Sequence, residues 1–154
     1  MVAVSVFFSE GGFDMSIQNV VDDTAKFKAR ERLYGLLTLQ QTMVQKFGES
    51  NYNVFIFGSY LTTRYVEGES DIDIAIYTED FELYKCLSVY LEEYFNDKGI
   101  DSDIFYIDTM MEAPIYCAPL KSQVQFTDYY PERLVRFRQV CQRKLEETKA
   151  RIAG

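Results

Sequence analysis

Two short apolar segments, joined by a polar loop, restrict the folds open to this chain more than any other feature. Val54–Phe57 is continuously apolar, as expected for a buried strand, and Gly58-Ser59 follows it directly. Asp71–Ile76 has isoleucine at every second position, which is the alternation typical of a β-strand. Each segment therefore predicts one strand of a small β-sheet.

Helical periodicity and further strand-like segments surround these two strands. Apolar residues recur every three to four positions in two long stretches, and Pro131 suits the first turn of a last helix. The predicted elements, in chain order, are helix 17–47, strand 54–57, strand 71–76, helix 80–96, strand 103–107, strand 124–126 and a helix from Pro131 onward. This order predicts an α/β (α+β) fold, a small mixed β-sheet with flanking helices.

The size of the chain suits one folded domain. Its 154 residues are 47% hydrophobic and 26% charged, which is ordinary for a globular protein with a real core. Gly11-Gly12 interrupts the N-terminal segment. We therefore expect residues 1–15 to be loosely ordered and residues 16–154 to form a single domain.

The cysteines and the absence of long apolar runs predict a cytoplasmic protein. Three widely spaced cysteines without a Cys-x-x-Cys pair indicate reduced thiols. Cys86 and Cys141 fall on apolar stripes of predicted helices, so we expect both in the core. The run Val2–Phe8 is too short for a membrane span and lacks the basic flank of a secretion signal. We therefore expect no contact with a membrane.

The charge balance and the absence of histidine exclude several classes of function. Without histidine the chain has no Ser-His-Asp or Cys-His catalysis and no His-ligated zinc. Acidic residues outnumber basic ones 24 to 16, whereas proteins that grip nucleic acid show a basic patch. The one basic strip consists of Arg133, Arg136, Arg138, Arg143 and Lys144, and we interpret it as a solvated helix face. Nucleic acid is therefore a disfavoured ligand, and any catalysis depends on carboxylates, hydroxyls, amines or bound metal.

Three aspartates form a candidate metal site. Asp71 and Asp73 lie two positions apart in a strand, so their side chains project from the same face. Neighbouring carboxylates repel one another unless a cation lies between them, and Mg²⁺ prefers oxygen ligands. Asp103 begins another apolar strand and would bring a third carboxylate if the two strands are neighbours. Two metal ions about 4 Å apart would then fit a phosphoryl-transfer site.

Other interpretations of these acids stay open. Two solvated acids on an exposed strand edge would also explain Asp71 and Asp73. Asp101 shares the face of Asp103 and competes with it as the third carboxylate, whereas Asp108 points to the opposite face.

The Gly58-Ser59 pair is a candidate phosphate site. Glycine permits a tight turn and a close backbone approach. Backbone N–H groups at the start of the following turn can then point outward and hold a phosphate. Many strands end in Gly-Ser, so the pair has meaning only together with the aspartates that follow it.

The combined motif resembles that of the DNA polymerase β-like nucleotidyltransferases. Its parts are the apolar strand with Gly-Ser (Val54–Ser59), an eleven-residue spacer (residues 60–70) and an Asp-x-Asp strand, Asp71–Ile76. Chain length is similar to that of the minimal nucleotidyltransferases, which are often the antitoxin partners of HEPN-domain proteins. The run Tyr60-Leu-Thr-Thr63 departs from the small or basic residues and glycine common at this place.

This resemblance implies a role for each motif residue. Gly58 and Ser59 would bind the β- and γ-phosphates of a nucleotide, with Arg64 and Ser70 as further nucleotide-binding candidates. The metal ligands and catalytic residues would be Asp71, Asp73 and Asp103, the last lying near the acceptor hydroxyl. Two Mg²⁺ ions are implied, with Mn²⁺ as an alternative, and the substrate would be ATP or another nucleoside triphosphate.

The implied reaction is attack of an acceptor hydroxyl on the α-phosphate, with release of pyrophosphate. The acceptor implied by the minimal branch is a partner protein such as a HEPN toxin. A small-molecule acceptor of the aminoglycoside type is the alternative, and a homo-oligomer would help to complete such a site. A catalytically silent nucleotide-binding or interaction module is a third interpretation.

Overall fold

The computed structural model describes residues 5–6, 17–107 and 124–153, with side chains described for 23–107 and 124–153. The strands of this part of the chain are β1 (Ser5–Val6), β2 (Asn53–Phe57), β3 (Ile72–Tyr77), β4 (Ser102–Tyr106) and β5 (Val124–Gln125). Its helices are α1 (Ile17–Phe47), α2 (Phe81–Asn96) and α3 (Glu132–Ala153).

The strands form one mixed sheet in the order β1-β5-β2-β3-β4. Strands β3 and β4 are parallel, and every other neighbouring pair is antiparallel. Helix α2 connects β3 to β4, and such a crossover is what a parallel pair requires. The predicted mixed sheet with flanking helices is therefore confirmed. Strand β1, which the sequence does not predict, lies within the 1–15 segment, and the rest of that segment lies outside the described residues.

The two faces of the sheet pack against different helices. Ile72, Ile74 and Ile76 of β3 are fully buried in one cluster with apolar residues of α1 and α2. Ala75 and Tyr77 of the same strand are buried on the other face, in a cluster with apolar residues of α3. The isoleucine alternation predicts this strand, and the structure adds that it is buried on both faces, so polar residues fit only at its N-terminal end.

The cysteines depart from their prediction. Cys86 is a free thiol and is exposed, because α2 buries the stripe Leu87, Leu91 and Phe95, and Cys86 lies off that stripe. Cys141 is in the core as predicted, at 2% exposure, but it is disulfide-bonded, so the prediction of reduced thiols is wrong for this residue. Cys117 lies outside the described residues. Among the described helices, none combines the length and the apolarity of a membrane span.

Candidate functional site

The register of the sheet brings the predicted acidic residues to one place. Asp73 of β3 lies opposite Phe57 of β2 on one side and opposite Asp103 of β4 on the other. Asp71 immediately precedes β3, where the Ile72 N–H donates to the Asp101 carbonyl at 2.9 Å. Asp71 and Asp103 are exposed, and Asp73 is half-buried between them. Since alternate residues share a face, the three carboxylates project from the α3 side of the sheet.

Gly58 touches the central carboxylate. The residue has φ +75°, and a Cβ on it would lie 2.1 Å from Oδ2 and 3.0 Å from Cγ of Asp73. No side chain fits there unless Asp73 moves. Glycine is therefore required twice, once for the left-handed backbone and once for the close approach of the loop to the aspartate.

The electrostatics of the site are those of uncompensated negative charge. Burial raises the pKa of the Asp73 carboxyl above its usual value, and the neighbouring charges of Asp103 and then Asp71 raise it further. Asp101 is not among the charges that shift this pKa, which favours Asp103 as the third member of the group. Within the described part of the chain, none of the three carboxylates has an ion-pair partner. Asp108 lies outside the described residues.

These residues fit a divalent cation by their chemistry. Carboxylate oxygens are the hard ligands that Mg²⁺ and Mn²⁺ accept, and a cation would relieve the repulsion around Asp73. Over residues 23–107 and 124–153, however, no three acidic or cysteine side chains are close enough to form a ready metal-binding group. A cation would therefore have to draw the exposed carboxylates of Asp71 and Asp103 inward.

The loop between β2 and β3 contains the remaining predicted residues. The Ser59 carbonyl accepts hydrogen bonds from the backbone N–H and the hydroxyl of Thr62, at 2.9 and 2.8 Å. The Ser70 hydroxyl accepts from the Val66 N–H at 3.0 Å and so closes a turn within the loop. The Arg64 side chain is exposed and makes no ion pair with any described residue, so the structure does not bring it to the aspartates.

Two features of this region are missed by sequence reasoning. Phe57 and Phe105 are half-buried on the face of Asp73, with ring centroids 5.8 Å apart, a contact that depends on the register of three strands. Arg32 of α1 binds the β2–β3 loop from the opposite face of the sheet. Nothing in the spacing of α1 distinguishes Arg32 from the other charged residues of that helix.

Two cavities among the described residues lie behind the loop and not at the aspartates. Their volumes are about 200 and 440 Å³, and Lys28, Arg32 and Glu67 line both of them. None of the three carboxylates lines either cavity.

The sequence and the structure were compared with known proteins. The family model for the nucleotidyltransferase domain matches residues 37–130, which include every predicted site residue. A crystal structure of a mutant of the toxin–antitoxin pair MntA-HpeT contains a chain with 16% sequence identity and a TM-score of 0.42. That match covers 74% of this chain and 89% of the other. No curated protein sequence is close enough to count as a match.

Proposed function

Because this chain belongs to the nucleotidyltransferase domain family, we propose that it transfers AMP from ATP to an acceptor hydroxyl. Family membership confirms the enzyme class predicted from the sequence. The donor and the acceptor are our proposal. The observation that carries it is the half-buried Asp73 carboxylate, which lies between Asp71 and Asp103 and against Gly58. No basic side chain within residues 23–107 and 124–153 forms an ion pair with it.

In this proposal Asp71, Asp73 and Asp103 hold two Mg²⁺ ions, with Mn²⁺ as the alternative. Bound ions of this kind neutralise phosphate charge and stabilise the attacking and leaving oxygens. The raised pKa of Asp73 supports the assignment, because a group that resists ionisation in the free protein gains most from a bound cation. Phe57 and Phe105 supply an apolar wall on the same face of the sheet as Asp73.

The chain's own residues also position the reactants. Gly58 and Ser59 lie at the end of β2, where backbone N–H groups are suited to bind the β- and γ-phosphates. The acceptor oxygen attacks the α-phosphorus, the bond from that phosphorus to the bridging oxygen breaks, and pyrophosphate leaves. The Asp103 carboxylate is the proposed acceptor of the hydroxyl proton. Orientation and charge neutralisation supply most of the rate in such a reaction.

We propose that the acceptor lies on a partner protein of the HEPN toxin type, so that this chain acts as an antitoxin. The resemblance of residues 54–76 to minimal nucleotidyltransferases supports this choice, and the net charge of −8 argues against a nucleic-acid acceptor. The same acidic charge favours one second candidate, a cationic small molecule of the aminoglycoside type.

The test is calorimetric titration of a non-hydrolysable ATP analogue into the protein, with and without Mg²⁺. We expect Mg²⁺-dependent binding by the parent and its loss in Asp73→Asn and Asp103→Asn. Asp101→Asn is the matched control, because Asp101 is an exposed aspartate two residues from Asp103 that does not act on Asp73. Equal binding by all four proteins would show that the metal site is wrongly assigned. No binding by the folded parent, with other triphosphates also tried, would favour a silent module.

The acceptor is tested separately by incubating the protein and α-labelled ATP with the candidate partner protein. Transfer predicts a label on the partner and a mass increase equal to one AMP group. Label on an aminoglycoside, and none on the protein partner, would favour the small-molecule alternative.

A further inference from the structure

The loop that connects β2 to β3 is long for two strands that pair directly. Phe57 and Asp73 lie opposite each other, yet the chain between them runs from Gly58 to Ile72, whereas hairpin loops usually have about two to five residues. The loop consists of turns closed by its own hydrogen bonds, from Thr62 to Ser59 and from Ser70 to Val66. Those bonds define each turn, and contacts from outside the loop must hold the turns in place.

Arg32 of α1 supplies such contacts to both halves of the loop. Its Nε donates to the Tyr60 carbonyl at 2.5 Å, and one Nη donates to the Thr62 carbonyl at 3.1 Å. Its other Nη lies 3.9 Å from a carboxylate oxygen of Glu67. The guanidinium also lies 4.6 Å from the ring centre of Tyr65, within the range of a cation–π interaction.

The environment of Arg32 makes these contacts more effective than a surface ion pair. Its side chain is only 11% exposed, whereas the neighbouring Lys28, which also reaches Glu67, is 50% exposed. Hydrogen bonds from a charged donor are stronger than neutral ones, and partial burial reduces screening by water. Burial also raises the pKa of Tyr60 to about 12, so this phenol stays neutral beside the guanidinium.

The carbonyls that Arg32 binds also determine the orientation of the N–H groups next to them. In a trans peptide the carbonyl and the following N–H point in opposite directions. The N–H groups of Leu61 and Thr63 therefore face away from Arg32 and α1. Within the described residues neither group donates to a backbone or side-chain acceptor. Leu61 is buried at 2% exposure and Thr63 is exposed, so the Thr63 N–H is the group open to an anion.

We propose that Arg32 is a positioning residue for nucleotide binding, which fixes the peptide groups after Gly58-Ser59 so that the exposed N–H of Thr63 meets a phosphate. The inference rests on the proposed function, because it requires a nucleotide at this loop. Arg32 itself lies on the α1 side of the sheet and acts through the loop backbone.

The test compares Arg32→Met and Arg32→Lys with two control variants in the titration of the ATP analogue with Mg²⁺. Lys28→Met removes only the exposed contact to Glu67. Asp80→Ala lowers stability by removing the N-cap of α2, away from the loop. All titrations are made well below the unfolding temperature of every variant, so that a loss of stability alone leaves the dissociation constant unchanged.

We expect Arg32→Met to weaken binding at least about tenfold, since two charge-assisted hydrogen bonds to the loop are lost. Arg32→Lys keeps the charge without the planar fork, so it should recover only part of the affinity. Both controls should stay within about twofold of the parent.

Two outcomes would overturn the inference, and only the second would also overturn the proposed function. If both Arg32 variants bind like the parent while Asp73→Asn does not bind, Arg32 has only a structural role and the proposed function stands. If the folded parent does not bind nucleotide, the inference and the proposed function fail together.

Discussion

Replacing Gly58 with alanine should damage both the fold and the site, through two separate physical effects. The first is the backbone, because φ +75° is unfavourable for any residue with a Cβ. The second is the contact with Asp73, whose Oδ2 would be 2.1 Å from the new Cβ. Atoms do not approach so closely, so the carboxylate must rotate away.

The free-energy costs of the two effects in Gly58→Ala determine which control variant is needed. The left-handed backbone costs alanine about 1–2 kcal/mol. Asp73 is half-buried and has room to move, so leaving its preferred rotamer costs about 0.5–1.5 kcal/mol. The cost of the left-handed backbone is the larger of the two, so the stability of Gly58→Ala alone would not reveal the clash with Asp73. Gly68→Ala is the matched control, because Gly68 has φ +81° in the same loop and nothing within 4 Å of its added Cβ.

The assay is thermal unfolding together with titration of the ATP analogue. Each kcal/mol corresponds to about 2–4 °C in Tm for a protein of this size. Gly68→Ala should therefore lower Tm by about 2–8 °C, and Gly58→Ala by about 1–6 °C more. Mg²⁺-dependent nucleotide binding should be lost only in Gly58→Ala, because only there is the central carboxylate displaced.

A double-mutant cycle isolates the contact itself. In an Asp73→Ala background most of the clash is absent, so Gly58→Ala should cost only as much as Gly68→Ala costs in the parent. The reasoning is refuted if Gly58→Ala is no more destabilising than Gly68→Ala. It is equally refuted if the additional cost persists after Asp73 has been removed.

Two further predictions follow from single residues. Asp73→Asn should raise the free energy of unfolding of the metal-free protein at neutral pH by about 0.2–1 kcal/mol, because it removes like charges at directly opposed strand positions. The pKa of Asp73 is higher in the folded protein than in the unfolded chain, so the protonated carboxyl favours the folded state. This contribution to stability is fully present below the unfolded pKa and is lost as pH rises through the folded pKa. The extra stability of Asp73→Asn over the parent, measured by urea unfolding, should therefore vanish at acid pH. Asp80 caps α2 by accepting from the N–H groups of Glu82 and Leu83 at 3.0 and 3.3 Å. Asp80→Ala should lower the stability by about 1 kcal/mol in the same assay, whereas an unchanged midpoint would contradict the role of the cap.

The sequence predicted those parts of the fold in which local pattern and burial agree. The isoleucine alternation of Ile72–Tyr77 identified β3 and the face of its aspartates, because successive side chains of a strand point to opposite faces of the sheet. That Asp103 would join the other aspartates was conditional on the two strands being neighbours, and the parallel pairing of β3 with β4 meets this condition. Strand β1 could not be predicted, since two residues that pair with a distant segment leave no periodic pattern. Cys86 was expected in the core from its apolar character, but it lies off the stripe Leu87, Leu91 and Phe95 that α2 buries.

The two contacts that hold the β2–β3 loop explain why one half of the candidate site is visible in the sequence and the other is not. At Gly58 the constraint is steric, and only glycine meets it, so the contact with Asp73 leaves a Gly-Ser and Asp-x-Asp motif. At Arg32 the acceptors are backbone carbonyls, which every residue has, so the loop side of that contact restricts no residue type. The sequence motif therefore contains the residues on the carboxylate face of the sheet, but not Arg32, which acts from the α1 face. It follows that residues which position a loop through its carbonyls are found only from a structure, however strongly they affect binding.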